Sequence, residues 1–206
     1  MASHNIFPID STIKYFALDC EMVGTGERGL KSALARVSIV DFYGDVVLDE
    51  YVKPEQLITD YRTKYSGITK DSLENARCLN SVKKQVADII KGNIVIGHSI
   101  HIDFDVLQLS HPAELTRDIS IYNGIRKIFS RVPSLKMLSR KILIKDIQSG
   151  AHDSVEDARA TMNIYKHFQA EWEECITIYG IEATSREIPT CFRCSSRLHF
   201  KNNCPI

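Results

Sequence analysis

Residues 15–24 read YFALDCEMVG, an apolar run that ends in two acids with one residue between them. The run predicts a strand over residues 14–20 that lies inside a sheet. Side chains two apart on a strand point to the same face, so Asp19 and Glu21 would share one face. The ordinary explanation of such a pair is a solvated strand edge. Beside a buried strand, however, two like charges repel each other unless a cation lies between them, and Mg²⁺ or Mn²⁺ prefers carboxylate oxygens.

The composition is typical of a globular protein, with 206 residues, 44% hydrophobic and 25% charged, and a formal net charge of zero. A neutral chain has no global basic field to attract nucleic acid, so its charge has to be considered locally. No apolar run approaches the roughly 20 residues of a membrane span, and the N-terminus has no signal-peptide core. The sequence therefore predicts a soluble, intracellular protein with no membrane partner.

The order of the predicted elements indicates a mixed α/β sheet with helices on both faces. Gly44-Asp45 is expected to form the turn of a hairpin between the second and third strands. Asn80 is the expected cap of the first long helix, and Pro133 suits the first turn of a later one. Residues 171–188 are interpreted as a connector. The predicted strands are 14–20, 33–42, 45–52, 92–98 and 114–120, and the predicted helices are 81–91, 104–109, 133–145 and 154–170.

Further acids stand near the predicted starts of helices. Asp103, in GHSIHIDFDVL, follows a short apolar strand and begins a helix. Asp157, in HDSVEDARAT, lies in the first turns of another helix, five residues after His152. An acid at a helix N-terminus also complements the helix dipole, and for each of these residues taken alone that explanation stays open. Together with Asp19 and Glu21, they form a candidate set of metal ligands.

The blocks ALDCEMVG, GHSIHIDFDVL and HDSVEDARAT resemble, in this order, the three exonuclease motifs of the DEDDh family. DCEMVG, ALARVSIV, DYRTKYSGIT and HDSVEDARATMNIY resemble the RNA exonuclease 4 and interferon-stimulated exonuclease group. The resemblance covers about residues 14–170 and implies a ribonuclease H-like fold with 3′-to-5′ exonuclease activity. It further implies metal-binding carboxylates and a histidine general base. These are Asp19, Glu21, Asp103 and Asp157 for two Mg²⁺ or Mn²⁺ ions, and His152 for the base.

The chemistry implied by this set is two-metal hydrolysis of a phosphodiester. Asp19 and Asp157 would hold the ion that activates water, and Asp19 the ion beside the leaving 3′ oxygen. His152 would take the proton of the attacking water, since an imidazole can act as a base at neutral pH. His98 is interpreted as a hydrogen-bonded structural residue at a strand end, and His101 as a surface residue. The expected products are nucleoside 5′-monophosphates.

Four residues outside this set are predicted to contact the nucleic acid. By resemblance, Met22 lies against the terminal nucleotide and Arg62 near the terminal sugar, where a bond to the 2′-hydroxyl would favour RNA. Residues 124–145 contain seven Lys or Arg and no acid, and Lys136 and Arg140 share one face of the predicted helix. The alternatives stay open: core packing for Met22, a loop arginine for Arg62 and a solvated face for the basic run.

The C-terminal sequence CFRCSSRLHFKNNC resembles a retroviral-type CCHC zinc knuckle. Three thiolates and an imidazole suit one structural Zn²⁺. Ser195 and Leu198 stand where knuckles usually have glycine. Phe192 and Phe200 occupy the positions of base-stacking side chains, which predicts contact with single-stranded nucleic acid. The open alternative is a tail with free thiols. The candidate zinc ligands are Cys191, Cys194, His199 and Cys204.

Together the motifs predict an N-terminal extension (1–13), an exonuclease domain (14–172), a connector (173–188) and a zinc knuckle (189–206). The predicted function is that of a metal-dependent 3′-to-5′ exoribonuclease acting on single-stranded RNA. Two alternatives stay open: the same enzyme acting mainly on single-stranded DNA, and a non-catalytic RNA-binding or ribosome-assembly factor. The protein partners stay unknown from the sequence. The resemblance implies a nuclear or nucleolar location, with the cytoplasm as the alternative.

Overall fold

The structure, a computed structural model, describes residues 12–129 and 132–185. In this part of the chain a seven-stranded mixed sheet is flanked by helices, which confirms the predicted α/β architecture. The strands are β1 Tyr15–Thr25, β2 Lys31–Asp41, β3 Val46–Lys53, β4 Ile58–Asp60, β5 Arg77–Cys78, β6 Ile94–Gly97 and β7 Thr116–Asp118. The α-helices are α1 Thr63–Ser66, α2 Leu79–Ile90, α3 His101–Leu107, α4 Asn123–Arg126, α5 Leu135–Leu138 and α6 Ser154–Tyr179, and a π-helical turn spans Ser139–Leu143.

Strand β1 lies in the middle of the sheet, antiparallel to β2 and parallel to β6. The strand order is β5-β3-β2-β1-β6-β7, and β4 pairs with the far end of β1. This central place explains the apolar sequence of the strand, whose residues 16–18 are buried. β1 continues to Thr25, beyond the predicted end at residue 20. Asp19 and Glu21 therefore lie within the strand and not after it, and a bulge separates Glu21 from Met22.

The two faces of the sheet have separate hydrophobic cores. Ala17 packs into the core formed with α6, whereas Leu18 and Cys20 pack into the core formed with α2 and α3. Because side chains alternate along a strand, Asp19 and Glu21 lie on the α6 face together with Ala17. This alternation brings both acids to the side of the sheet on which α6 begins.

The hairpin between β2 and β3 forms where it was predicted. The Asp41 carbonyl accepts a hydrogen bond from the Gly44 N–H at 3.0 Å. The Asp41 carboxylate accepts two more, from the Tyr43 N–H at 2.8 Å and the Asp45 N–H at 2.9 Å. Gly44 has φ 90°, a backbone conformation that favours glycine.

Three predicted helix starts are wrong by a few residues, one of them that of α3, which begins at His101 and not at residue 104. α2 has Cys78 at its N-cap position, so Asn80 lies inside the first turn and does not cap the helix. α5 is capped by Ser134, whose Oγ accepts a hydrogen bond from the Met137 N–H. Pro133 consequently precedes this helix. At the start of α5 the serine side chain accepts a hydrogen bond from an N–H of the first turn. Proline cannot do this, because its side chain has no acceptor.

Helix α6 extends to Tyr179, nine residues beyond the predicted end at residue 170. Residues 171–179, assigned to a connector from the sequence, are therefore its last turns. Trp172 is buried and stacks on Tyr122 with ring centroids 3.9 Å apart. The polar sequence around Trp172 conceals this packing, because a long helix on a domain surface can bury few of its residues per turn.

Several predictions concern residues outside the described ranges. The N-terminal residues 1–11 and the whole proposed zinc knuckle are among those residues, so the zinc ligands and the stacking residues stay predictions. Among the described residues, no helix combines the length and the apolar character that crossing a bilayer requires. The knuckle residues concerned are Cys191, Phe192, Cys194, His199, Phe200 and Cys204.

Candidate active site

The four acids singled out from the sequence come together on and beside β1. Asp19 lies close enough to Asp103, Asp157 and Glu21 for each of these charges to affect its ionisation. Glu21, Asp103 and Asp157 are only 6%, 5% and 2% exposed, and Asp19 is half-buried. Carboxylates in such an environment are unfavourable unless opposite charge compensates them.

The pKa values of all four acids are raised, because the acids are buried without enough opposite charge to compensate them. Burial, reinforced by the charge of Asp103, raises the pKa of Asp19 well above its usual range. Burial also raises the pKa of Glu21 to about 8 and the pKa of Asp103 to about 7. For Asp157, burial again raises the pKa. An acid cluster of this kind retains its protons or binds a cation.

The donor set fits a divalent cation. Glu21, His152 and Asp157 each offer one ligand atom, and these three atoms lie within 4.8 Å of one another. Glu21 Oε1 and Asp157 Oδ1 are buried without a hydrogen-bond partner. Buried polar atoms are nearly always hydrogen-bonded, so two orphaned oxygens in one cluster need an explanation. A bound divalent cation would explain them, because carboxylate oxygens are the ligands that Mg²⁺ and Mn²⁺ prefer.

His152 lies at the rim of the cluster. Its Nδ1 is 3.7 Å from Asp157 Oδ2, and its side chain is 37% exposed. Its backbone N–H donates to the Tyr65 carbonyl at 2.6 Å, which ties the loop before α6 to helix α1. The imidazole therefore reaches both the buried acids and the solvent.

Sequence reasoning missed Arg36, which lies opposite Glu21 in the pairing of β1 with β2. Its Nε and Nη2 donate to the two oxygens of Asp49 at 2.8 and 2.9 Å, and its Nη1 donates to Asp153 at 2.9 Å. Asp153 in turn caps α6 by accepting a hydrogen bond from the Glu156 N–H. Arg36 therefore fastens the start of α6 to the sheet. The sequence does carry a signal for this role, because Arg36 is a single basic residue inside the apolar block ALARVSIV.

A second missed residue, Gln148, contacts the cluster directly. Its Nε2 donates to Asp157 Oδ2 at 2.7 Å. Its backbone carbonyl accepts a hydrogen bond from Lys136 Nζ at 2.7 Å. Gln148 lies in the loop between the π-helical turn and α6, where the sequence has no periodicity that could have indicated its orientation.

The residues predicted to contact nucleic acid lie in different environments. Lys136 is half-buried against the Gln148 loop, whereas Arg140 is exposed and pairs with Asp146 at 2.7 Å. Met22 is half-buried and packs against the core on the α2 and α3 side. These contacts leave their predicted roles in nucleic-acid binding untested.

Arg62 has a left-handed backbone, with φ 52°. Its guanidinium donates to the Gly29 carbonyl at 2.8 Å and to Ser32 Oγ at 2.9 Å. Those bonds fix it to Gly29 in the connection between β1 and β2 and to Ser32 at the start of β2.

Two further histidines, His98 and His101, behave as the sequence indicated. A ring nitrogen of His98 is 2.9 Å from the Pro133 carbonyl, a hydrogen bond that joins the end of β6 to the segment before α5. His101 is exposed at the start of α3. The structural role of His98 and the surface position of His101 are confirmed.

The family model described as Exonuclease, RNase_T, matches residues 16–165, and the chain belongs to this family. It is 48% identical over 163 residues to RNA exonuclease 4 of Saccharomyces cerevisiae. It is also 48% identical over 167 residues to interferon-stimulated 20 kDa exonuclease-like 2 of Homo sapiens.

These matches cover 78% of this chain but 56% of the yeast protein and 47% of the human one. The chain therefore spans about half the length of the curated relatives it matches.

Solved structures of Pan2 share the fold. The Neurospora crassa Pan2 catalytic unit, with protease and nuclease domains, matches with a TM-score of 0.68 and 26% identity, over 84% of this chain and 30% of that one. The Saccharomyces cerevisiae Pan2 pseudoubiquitin hydrolase-RNA exonuclease module in complex with A7 RNA matches with a TM-score of 0.69 and 28% identity. That alignment covers 89% of this chain and 32% of the Pan2 chain. The similarity is thus confined to about a third of each Pan2 chain.

Proposed function

We propose that the protein is a metal-dependent 3′-to-5′ exoribonuclease that shortens single-stranded RNA and releases nucleoside 5′-monophosphates. The observation that carries the proposal is the buried acidic cluster, in which oxygens of Glu21 and Asp157 have no hydrogen-bond partner. Membership of the exonuclease family supports the reaction class. The names of the relatives, RNA exonuclease 4 among them, and the Pan2 module in complex with RNA support the substrate class.

In this proposal the four carboxylates would hold two Mg²⁺ or Mn²⁺ ions. When bound, such ions lower the pKa of a water and stabilise the charge on the leaving oxygen. Glu21 Oε1 and Asp157 Oδ1 are free to serve as ligand atoms, because no protein donor occupies them. The burial of the cluster excludes bulk water and strengthens the attraction between the carboxylates and a cation. The four are Asp19, Glu21, Asp103 and Asp157.

His152 would accept the proton of the attacking water. An imidazole can act as a general base at neutral pH. Asp157 Oδ2, 3.7 Å from Nδ1, would stabilise the imidazolium that forms. Because the ring is 37% exposed, the proton can then pass to solvent.

Several parts of the chain are proposed to bind the RNA. Arg62 and Met22 would contact the terminal nucleotide, and Arg140 would contact the phosphate backbone. The CCHC segment would bind one Zn²⁺ and tether the RNA, which raises the substrate concentration at the acidic cluster. About one equivalent of zinc is expected in the purified protein and should be lost in the Cys191→Ser, Cys194→Ser double variant. Metal analysis under reducing conditions tests this part separately.

The decisive experiment compares RNA and DNA oligonucleotides of one sequence, labelled at the 5′ end, in the presence of Mn²⁺ or Mg²⁺. The proposal expects stepwise shortening of RNA from the 3′ end and no shortening by Asp19→Ala. Faster shortening of DNA would favour the single-stranded DNA enzyme. Binding of RNA without any shortening would favour the non-catalytic assembly factor.

A further inference from the structure

The two carboxylate oxygens of Asp157 have different surroundings. Oδ2 accepts a hydrogen bond from Gln148 Nε2 at 2.7 Å and lies 3.7 Å from His152 Nδ1. Oδ1 is buried without a partner. A carboxylate can rotate about its last torsion, whose energy profile is broad. The amide of Gln148 opposes this rotation by holding one oxygen, and thereby determines which oxygen stays open.

Gln148 is itself held from two sides. Lys136 Nζ donates to its backbone carbonyl at 2.7 Å. The preceding residue, Ile147, is buried in the core on the α6 face. Between these anchors Gln148 has φ 53°, a left-handed conformation that residues other than glycine rarely adopt. The tertiary contacts therefore maintain a backbone geometry that a free loop would abandon, and this geometry directs the amide at Asp157.

We propose that Gln148 is a positioning residue for Asp157 and that Lys136 keeps Gln148 in place. This inference rests on the proposed function, in which Asp157 is a metal ligand. Residues that hydrogen-bond to metal ligands orient them, and their loss typically weakens metal affinity or activity by 10–100-fold. The half-buried Lys136 then acts inside the protein through Gln148, and its neighbour in the same basic run, Arg140, is left to face the solvent.

The test measures Mn²⁺ binding to the RNA-free protein by electron paramagnetic resonance. Gln148→Met keeps the length of the side chain and removes the donor, so the dissociation constant for the ion at Asp157 should rise about 10–100-fold. RNA affinity, measured by fluorescence anisotropy with a chelator present, should stay at the wild-type value. Gln148→Asn withdraws the amide by one methylene and keeps its polarity. It should also weaken Mn²⁺ binding. This variant takes the place of Gln148→Met in the test if the methionine variant does not fold.

Lys136 is tested against a matched neighbour. Lys136→Met should weaken Mn²⁺ binding less than the Gln148 variants, because its effect passes through the loop. Lys141→Met removes the same charge from an exposed position of the same segment and should leave Mn²⁺ binding unchanged. Equal losses of RNA affinity in the two variants, with unchanged Mn²⁺ binding in both, would overturn the assignment of Lys136.

The outcomes separate this inference from the proposed function. If the wild-type protein binds no Mn²⁺, the proposed metal-dependent function fails. If the wild-type protein binds Mn²⁺ and both folded Gln148 variants bind it equally well, the positioning role is overturned while the exonuclease proposal stands. Thermal unfolding with a chelator present checks that each variant is folded before its metal affinity is compared.

Discussion

Within residues 12–129 and 132–185, two groups of buried charged side chains are built in opposite ways. Arg117, only 3% exposed, donates through Nε and Nη2 to the two oxygens of Glu173 at 2.8 and 2.9 Å. The hydroxyl of Tyr165 donates to the same carboxylate at 2.7 Å. This group joins β7 to the later turns of α6 and is neutral and fully hydrogen-bonded.

The acidic cluster on β1 has four carboxylates, and two of its oxygens lack a hydrogen-bond partner. Arg36 is near but already holds Asp49 and Asp153. The comparison shows that this fold can neutralise a buried charge where only stability is required. The uncompensated cluster therefore indicates a place where an external cation completes the structure.

Replacing a carboxylate of the cluster should lower the activity and raise the stability of the metal-free protein. Asp19→Asn is expected to lower the rate of RNA shortening by on the order of 10³-fold or more, because several kcal/mol of charge stabilisation by metal is lost. In the metal-free protein the same variant should unfold at a higher temperature than wild type, since a buried amide avoids the cost of burying or protonating this acid beside three others. Single-turnover kinetics and thermal unfolding with a chelator measure the two effects. A lower unfolding temperature would show that Asp19 is compensated within the protein.

Breaking the neutral group should have the reverse effect. Arg117→Met leaves Glu173 largely buried without its partner and is expected to lower the free energy of unfolding by about 3–5 kcal/mol. Activity per folded molecule should stay near wild type. Urea unfolding measures the loss. The control is the double variant Arg117→Met, Glu173→Met, which should recover much of it, because replacing a buried ion pair by apolar residues is often nearly neutral.

Arg36 combines features of both groups and should show a mixed effect. Arg36→Met removes the ties from β2 to Asp49 and Asp153, so the start of α6 and His152 should be less well positioned. We expect turnover to fall about 10–100-fold, as for other residues that orient a site. The matched control is Arg77→Met, which breaks the ion pair at 2.9 Å between Arg77 on β5 and Glu50, the residue next to Asp49 on β3. Equal losses in the two variants would mean that Arg36 acts through stability alone.

The smallest effect concerns pH and the metal-free protein. The folded-state pKa of Glu21 is about 8 and that of Asp103 about 7, both above their unfolded values. Between the unfolded and folded pKa values the native state binds more protons than the unfolded state, so stability is fully present at low pH and is lost as pH rises. Melting temperatures in chelator should therefore fall from about pH 4.5 to about pH 8.

Manganese provides the control for that trend. Added Mn²⁺ should raise the melting temperature more at pH 8 than at pH 5, because it binds the ionised carboxylates. A chelated protein whose melting temperature rises steadily over the same pH range would contradict the raised pKa values.

Features that depend on residues close together in the chain could be predicted from the amino-acid order alone. The apolar run before Asp19 predicted a central strand, and the spacing of Asp19 and Glu21 placed both on one face. The turn at Gly44-Asp45 followed from its residue types. The motif resemblance assigned all four acids and His152 before any contact was known. Alternation along a strand and helix periodicity are local properties, which explains why these predictions were accessible.

The hydrogen-bond and ion-pair partners of those side chains could be identified only from the packed fold. Arg36 meets Asp153 across 117 positions of sequence, and Lys136 reaches the Gln148 carbonyl across 12. The continuation of α6 past residue 170 depends on the stacking of Trp172 on Tyr122, a residue far away in the chain. Hydrogen bonds and packing of this kind depend on distances between elements, and those distances are set only when the sheet and its helices have packed together.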